Sequence, residues 1–321
     1  MRTWSAVAVW QFNVDQMSMY PTGACMTQTP FYADVQSHYD LSDDFFALFL
    51  DPTRTYSCAY FERDDYTLEQ AQIAKIDLAL GKLNLQSAST LLDVGCGWGS
   101  TMVRALDTHP DLTVTGLTLS RNQYEYVSQL LVSRGYTDRA EVRLQGWEEF
   151  DGNVDRIVSI GAFEHFRHER HADFFKFAKA ALPAKGGRML LHTIVLYPFG
   201  YVRDMGIPCT KEDIQFFRFI RDVIFPGGQL PFPEKAGFPG VKDFAEGAGF
   251  RVERMHALQQ HYARTLDCWS AALAEKRAEA VELCGQATFD TYMKYLTGCA
   301  GYFRQGSIDV MQFTCVADDS V

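Results

Sequence analysis

The stretch "LLDVGCGWGSTM", residues 91–102, decides how the rest of the chain is read. An apolar run reaches Asp93, and three glycines then stand at alternate positions, Gly95, Gly97 and Gly99. That pattern reads as a strand whose end turns sharply toward a ligand. A dinucleotide site wants G-x-G-x-x-G with an acid after the next strand, whereas the third glycine here comes early and Thr118 closes the next apolar run. No Gly-Lys-Ser/Thr follows, which excludes a P-loop.

Working outward, the runs "TLLDV", "LTVTGLTLS", "AEVRLQ", "DRIVSI" and "GRMLLHTI" recur about every 20 to 30 residues with helical patterns between them. Such spacing predicts βαβ units and a parallel sheet with buried strands, hence an α/β fold. Ahead of them, "TLEQAQIAKIDLALGKL" carries a Thr67-x-x-Gln70 capping box, with Ile73, Ile76, Leu80 and Leu83 at helical spacing. "DLSDDFFALFLDP" predicts a short amphipathic helix capped by Ser42 and stopped at Pro52. After His192 the alternation lapses for some fifty residues, in a Phe- and Pro-rich insertion at the ligand edge of the sheet; a helix and strand then resume. The expected organisation is a tail over 1–32 and one domain over 33–321. That domain divides into N-terminal helices (33–85), a core carrying the glycine turn (86–195), an insertion at the ligand edge (196–245) and a segment completing the sheet (246–321).

Composition narrows the function. With 321 residues, 47% of them hydrophobic, the chain can bury a large core. Forty acidic residues against thirty basic ones give a formal charge of −10, which argues against nucleic-acid binding. No run of apolar residues is long enough to span a membrane, leaving peripheral contact as the expected limit. The eight cysteines form no C-x-x-C pair and predict reduced thiols in a cytoplasmic protein. In "EHFRHERH", His165, His168 and His171 lack a completing Cys or acid pair, so no metal site is expected.

The glycine turn is similar to motif I of S-adenosylmethionine methyltransferases, in which the methionine part of the cofactor lies against the backbone. "GWEEF" after the third strand adds Trp147, placed to stack on adenine, and Glu148, placed to accept a hydrogen bond. The whole set "SHYDLSDDFFALFLDP", "TYSCAYF", "LLDVGCGWGS", "GLTLSRNQ", "GWEEF", "GAFEHF", "LLHTI", "IFPGGQLP" and "YLTGCAGYFRQGSIDVMQFT" resembles the mycolic acid cyclopropane synthase and methyltransferase family, over residues 33–316. The N-terminal tail and "LPFPEKAGFPGVKDFAEGAGF" depart from the family pattern.

The resemblance implies a Rossmann-like seven-stranded methyltransferase sheet with a helical lid insertion and an antiparallel last strand. It implies methyl transfer from S-adenosylmethionine to the double bond of a long unsaturated acyl chain held on an acyl carrier protein, giving a cyclopropane, a methyl branch or a hydroxylated product. Carried over by motif, the cofactor contacts would be Tyr56, Ser57, Leu91, Leu92, Asp93, Val94, Gly95, Cys96, Gly97, Trp98, Gly99, Thr118, Leu119, Ser120, Gln123, Trp147 and Glu148. The family's bicarbonate ion would be held by Cys58, Glu164, His192 and Tyr262 with the backbone near Ile160, and Cys299 matches the family's active-site cysteine.

An isolated alkene attacks a sulfonium methyl only when oriented in a dry apolar site, and aromatic faces would shield the resulting cation. Tyr39, Phe45 and Phe163 are candidates for that role, Glu164 for sharing the proton that closes the ring, and Cys299 for positioning. "IQFFRFIRDVIF" reads as a wall of the lipid pocket, with Arg218 and Arg221 facing either the acidic carrier or solvent. Two rivals remain: a small-molecule N- or O-methyltransferase sharing only the cofactor half, and a non-catalytic acyl- or cofactor-binding protein.

Overall fold

The computed structural model describes residues 29–30 and 43–318. Its centre is a seven-stranded sheet in the order β3-β2-β1-β4-β5-β7-β6. The strands are β1 (Thr90–Val94), β2 (Thr113–Thr118), β3 (Ala140–Leu144), β4 (Arg156–Ile160), β5 (Arg188–Leu196), β6 (Phe250–Ala257) and β7 (Ile308–Ala317). The first five pair parallel, while β7 runs antiparallel between β5 and β6. All five runs read as parallel strands are therefore strands, and the last strand has the expected direction.

Helices cover both faces, which is what parallel strands without polar alternation require. On one face α2 (Leu68–Gly81), α3 (Ser100–Thr108) and α4 (Arg121–Arg134) bury Ile76, Leu80, Met102, Leu106, Val127 and Leu131 against Leu91, Val114 and Leu190. On the other, α5 (His168–Ala181) and α8 (Val241–Gly247) bring Phe174, Phe175 and Ala245 onto Leu92, Ile157 and Leu191. A third core joins the short α1 (Asp43–Ala47) to α9 (Gln259–Glu275) and α10 (Arg277–Gln305), through Phe45, Phe46, Trp269, Tyr292 and Leu296.

The capping box on α2 forms as read: Gln70 N–H donates to the Thr67 hydroxyl and Thr67 N–H to the Gln70 carbonyl oxygen. The buried face of α2 differs from the apolar stripe expected. Ile73 is only half-buried, whereas Gln72 and Lys75 are buried completely. Their reason is the segment beside them: the Gln72 amide donates to the carbonyls of Thr55 and Ser57, tying down "TYS" where it crosses the sheet edge. The cap assigned to Ser42 lies outside the described residues, and α1 begins at Asp43.

The insertion carries α6 (Phe199–Asp204), α7 (Lys211–Phe219) and a π-helical turn, Ile220–Ile224. Phe216, Phe217, Phe219 and Ile220 pack half-buried against the third core. The Phe216 ring stacks on Tyr302 of α10 at 4.9 Å and 28°. Because β2 leaves β1 on one side and β4 lies on the other, the strand order reverses beside β1, where open α/β sheets place their ligands.

Candidate active site

At the end of β1 the chain folds back on β2: the backbone N–H groups of Gly95 and Cys96 both donate to the Leu117 carbonyl at 2.9 Å. The turn needs φ of +80° at Gly95 and +55° at Gly97, the left-handed region open to glycine. A Cβ on Gly95 would sit 2.4 Å from the Ala162 Cβ, whereas one on Gly97 would meet no atom within 4 Å. Gly95 is thus small because β4's loop presses on it, and Gly97 faces open space that a ligand can fill.

That space is a cleft of about 990 Å³, its open mouth included. Tyr56, Ser57, Asp93, Val94, Gly95, Cys96, Gly97, Trp98, Thr118, Leu119, Gln123, Trp147 and Glu148 line it, together with Ile160, Gly161 and Ala162. Four of the residues carried over by motif do not. Leu91 and Leu92 point into the cores on opposite faces of the sheet, Gly99 caps α3, and Ser120 caps α4, its hydroxyl accepting from Gln123 N–H.

The cleft has a charged floor. Asp93 is buried, its Oδ2 has no partner, and burial raises its pKa to about 7 against the pull of Lys75. Lys75, buried beside it, donates from Nζ to Ser57 Oγ at 2.8 Å; burial lowers its pKa to about 8. At the end of β2 the Thr118 hydroxyl donates to Gln123 Oε1 at 2.8 Å, which turns the Gln123 amide N–H₂ away from Thr118. At the far end Trp147 packs its ring on Phe166, Phe174 and Phe177, and Arg170 holds Glu148 Oε1 at 2.7 Å. An ammonium floor, an unpartnered carboxylate, open space over a glycine turn and an aromatic end wall fit a zwitterionic amino acid joined to an adenine.

Behind the floor lies a second, fully buried group. Glu164 follows β4 on a single 3₁₀ turn, its Oε1 accepts from Ile194 N–H at 2.7 Å, and its Oε2 is buried with no partner. Burial raises its pKa to about 7. His192 sits on β5 opposite Ile160, also buried, with Nε2 unpartnered and its pKa pushed well down by burial and by Lys75 and Lys82. Burial raises the hydroxyl of Tyr262 well above its usual range, and Tyr56, Cys58, Glu164 and Cys299 lie close enough to add to that rise. The thiols of Cys58 and Cys299 are pushed up by burial, so both stay protonated; a neutral Cys299 suits packing and weak donation rather than nucleophilic attack. A carboxyl oxygen and an imidazole nitrogen, both buried without partners, with a phenol and a thiol beside them, fit a small oxyanion that can also carry a proton.

Of the aromatic candidates, Phe45 packs edge-on to Tyr292 at 4.9 Å within the third core, while Phe163 stacks on His171 at 4.1 Å in the core across the sheet. The two are not neighbours, and Tyr39 lies outside the described residues. Several residues escaped the sequence reading: Lys75, Arg170, Gln312 and Tyr295. Tyr295, buried near Tyr262 and Cys299, accepts a hydrogen bond from the Tyr56 hydroxyl at 3.3 Å. It stands four residues before Cys299 on α10, a spacing that puts both on one helix face and was readable in "YLTGC". Arg221 pairs with the adjacent Asp222, and Arg218 is exposed.

Comparison with known proteins places this geometry. The mycolic acid cyclopropane synthetase family model matches residues 26–313. Cyclopropane mycolic acid synthase 3 of Mycobacterium tuberculosis is 56% identical over 286 residues, spanning 89% of this chain and 97% of that protein. Cyclopropane mycolic acid synthase 1 of the same organism is 57% identical over 287 residues, with the same coverage. The crystal structure of mycolic acid cyclopropane synthase CmaA1 complexed with SAH and CTAB superposes with a TM-score of 0.86 at 56% identity, covering 91% of this chain and all of that one.

Proposed function

The chain belongs to the mycolic acid cyclopropane synthetase family, and from that premise we propose that it methylates a cis double bond in a long unsaturated acyl chain of the meromycolate type, closing a cyclopropane ring. It is an S-adenosylmethionine-dependent methyltransferase whose relatives modify mycolic acids. The observation that carries the finer reading is the dry group behind the cofactor cleft, where Glu164 Oε2 and His192 Nε2 are both buried without partners.

S-adenosylmethionine would supply an electrophilic methyl at the cleft floor, and a bicarbonate ion behind it a base small enough to work inside a lipid tunnel. The rest is done by the chain. Lys75 and Ser57 would hold the cofactor's carboxylate, Asp93 its ammonium, Gln123 its ribose, and Trp147 with Glu148 its adenine, fixing the sulfonium against the wall shared with Tyr56. Phe45, Tyr292 and Tyr295 would shield the cation formed on the acyl chain and keep water from it. Cys58, His192 and Tyr262 would cage the anion as donors. Glu164, with a pKa near neutrality, would share with that anion the proton lost from the new methyl group as the ring closes. Cys299 would position without bonding covalently.

The insertion supports the substrate class. Phe216, Phe217 and Phe219 present a half-buried aromatic wall beside the Cys299 face of α10, suited to an acyl chain. The chain would arrive on an acyl carrier protein, with Arg218 exposed beside that wall to meet an acidic partner. Thiols at Cys58, Cys96, Cys209, Cys268, Cys299 and Cys315 suit a cytoplasmic setting, and no helix among the described residues is long and apolar enough to cross a membrane. The test is turnover of a cis-unsaturated acyl carrier substrate in carbonate-free buffer with bicarbonate added back. Lipid methylation that rises with bicarbonate supports the reading; methylation of only polar small-molecule acceptors, or cofactor binding without turnover, overturns it.

A further inference from the structure

A row of polar side chains on β5, β7 and β6 runs from the active site to the edge of the sheet. His192 on β5, Gln312 on β7 and His256 on β6 occupy directly opposed positions, so their side chains stand in one row on one face. Lys82, the residue that closes α2, reaches over that row. Its Nζ donates to Gln312 Oε1 at 2.6 Å and to His256 Nδ1 at 3.0 Å. Gln312 Nε2 in turn lies 3.3 Å from His192 Nδ1, and Gln312 is buried completely.

We propose that Gln312 and Lys82 lock His192 in the tautomer that carries its proton on Nε2, making it a fixed hydrogen-bond donor to the oxyanion of the active site. The first part stands on geometry alone, and the role toward the anion rests on the bicarbonate reading above. A protonated lysine can only donate, and although burial lowers the pKa of Lys82 to about 8 it still carries its proton at neutral pH. Because Lys82 faces the Gln312 amide, the oxygen of that amide must be the end turned toward it; the reverse orientation would set N–H against N–H. The amide N–H₂ is therefore the end that meets His192, and it too can only donate. Nδ1 must accept, which leaves the single proton of a neutral imidazole on Nε2. Burial, with Lys75 and Lys82 nearby, keeps the ring neutral.

Every bond in the row points the same way, from Lys82 through Gln312 to His192, and each donor polarises the next. The row ends on the buried Nε2 that has no protein partner. His256 completes the other end. Its pKa is lowered to about 4, chiefly by burial, so its Nδ1 stays available to Lys82. The consequence is a division of labour: His192 donates a hydrogen bond and moves no proton, so proton uptake falls to the anion and Glu164. Gln312 and Lys82 are positioning residues, acting on the site only through His192.

The test is ¹⁵N NMR of the full-length protein labelled at the histidine rings, with His192 assigned by the loss of its signals in His192→Gln. The unmutated protein should show a protonated Nε2 and an unprotonated Nδ1 at neutral pH; a protonated Nδ1, or an imidazolium, overturns the proposal without any change at Gln312 or Lys82. In Gln312→Glu the new carboxylate can only accept, so Nδ1 should become protonated; an unchanged tautomer there overturns the proposal. The same variant should need about tenfold more bicarbonate for half-maximal turnover, in the range seen when partners that orient a ligand are lost, with KM for S-adenosylmethionine unchanged. If the tautomer behaves as stated while unmutated turnover ignores bicarbonate, the lock stands and the bicarbonate reading falls.

Discussion

Lys75 Nζ donates to Ser57 Oγ at 2.8 Å, and both side chains are buried at the floor of the cofactor cleft. Asp51 and Asp93 lie within electrostatic reach of the same ammonium. Lys75→Met would leave buried Asp93 without a nearby cation, a loss of about 1 to 3 kcal/mol because burial already raises its pKa to about 7 and lets it neutralise. The melting temperature should drop, and affinity for S-adenosylhomocysteine should fall about tenfold or more, as expected on losing a charged hydrogen bond. Ser57→Ala, which takes away the ammonium's hydrogen-bond acceptor, should weaken binding and also lower the melting temperature. Calorimetric titration of the three proteins checks this, and equal affinities would remove Lys75 from the cofactor site.

The two glycines of the turn should fail for different reasons. Gly95→Ala drives a Cβ to 2.4 Å from Ala162 at positive φ, so it should cost about 1 to 3 kcal/mol of stability as well as binding. Gly97→Ala meets no protein atom within 4 Å, so its stability loss should be limited to about 1 to 2 kcal/mol for the left-handed conformation, while its Cβ enters the ligand's space. Denaturant unfolding alongside ligand titration separates the two. A Gly97→Ala protein that binds the cofactor normally contradicts the placement.

Glu164 gives a pH signature with a defined sign. Its folded pKa is raised from 4.5 to about 7, so the folded state holds the proton more tightly. The stability this contributes is complete below about pH 4.5 and is lost as pH rises through 7. Glu164→Gln, neutral throughout, should escape that loss, gaining on the order of 3 kcal/mol relative to the unmutated protein between pH 4.5 and 8. Its turnover should nevertheless be nearly abolished. Unfolding curves across that range provide the check, and a pH-independent difference would mean that Glu164 titrates normally.

Gly298, next to Cys299, makes room for an aromatic ring: a Cβ there would lie 2.3 Å from Phe216. Gly298→Ala should push Phe216 out of its stack on Tyr302 and narrow the proposed acyl wall. KM for the acyl substrate should rise severalfold with cofactor affinity unchanged. Steady-state kinetics with both substrates varied would show it, and unaltered acyl kinetics would assign Phe216 to packing alone.

The sheet was legible because its strands are apolar and β-branched runs at even spacing, and the glycine turn because positive φ leaves a compositional mark. The buried lysines and glutamines were not. Lys75 falls where helical periodicity wants an apolar residue, and a lysine there reads as solvent-exposed; only the backbone it meets, which comes from another segment, reveals otherwise. Gln312 looked like an ordinary polar residue in a final strand. β7 is inserted between β5 and β6, so all ten of its residues are buried, and the insertion is a matter of strand order that no local pattern carries. Phe163 failed for a related reason: it follows β4 in sequence near Glu164, yet its ring turns to the opposite face of the sheet. The residues named for the cofactor by motif mostly line one cleft, and those that do not, such as Leu91 and Leu92, are the inward-facing strand positions that any motif span includes.

The most direct test of ring closure on an acyl chain is the mass of the lipid formed with trideuteromethyl S-adenosylmethionine and a cis-unsaturated acyl chain on its carrier. Two retained deuteriums are expected, because a base must remove one from the transferred methyl to close the ring. Three retained deuteriums would mean that the cation ends as a branch or is captured by water, and would contradict the proposed loss of a methyl proton to the anion beside Glu164.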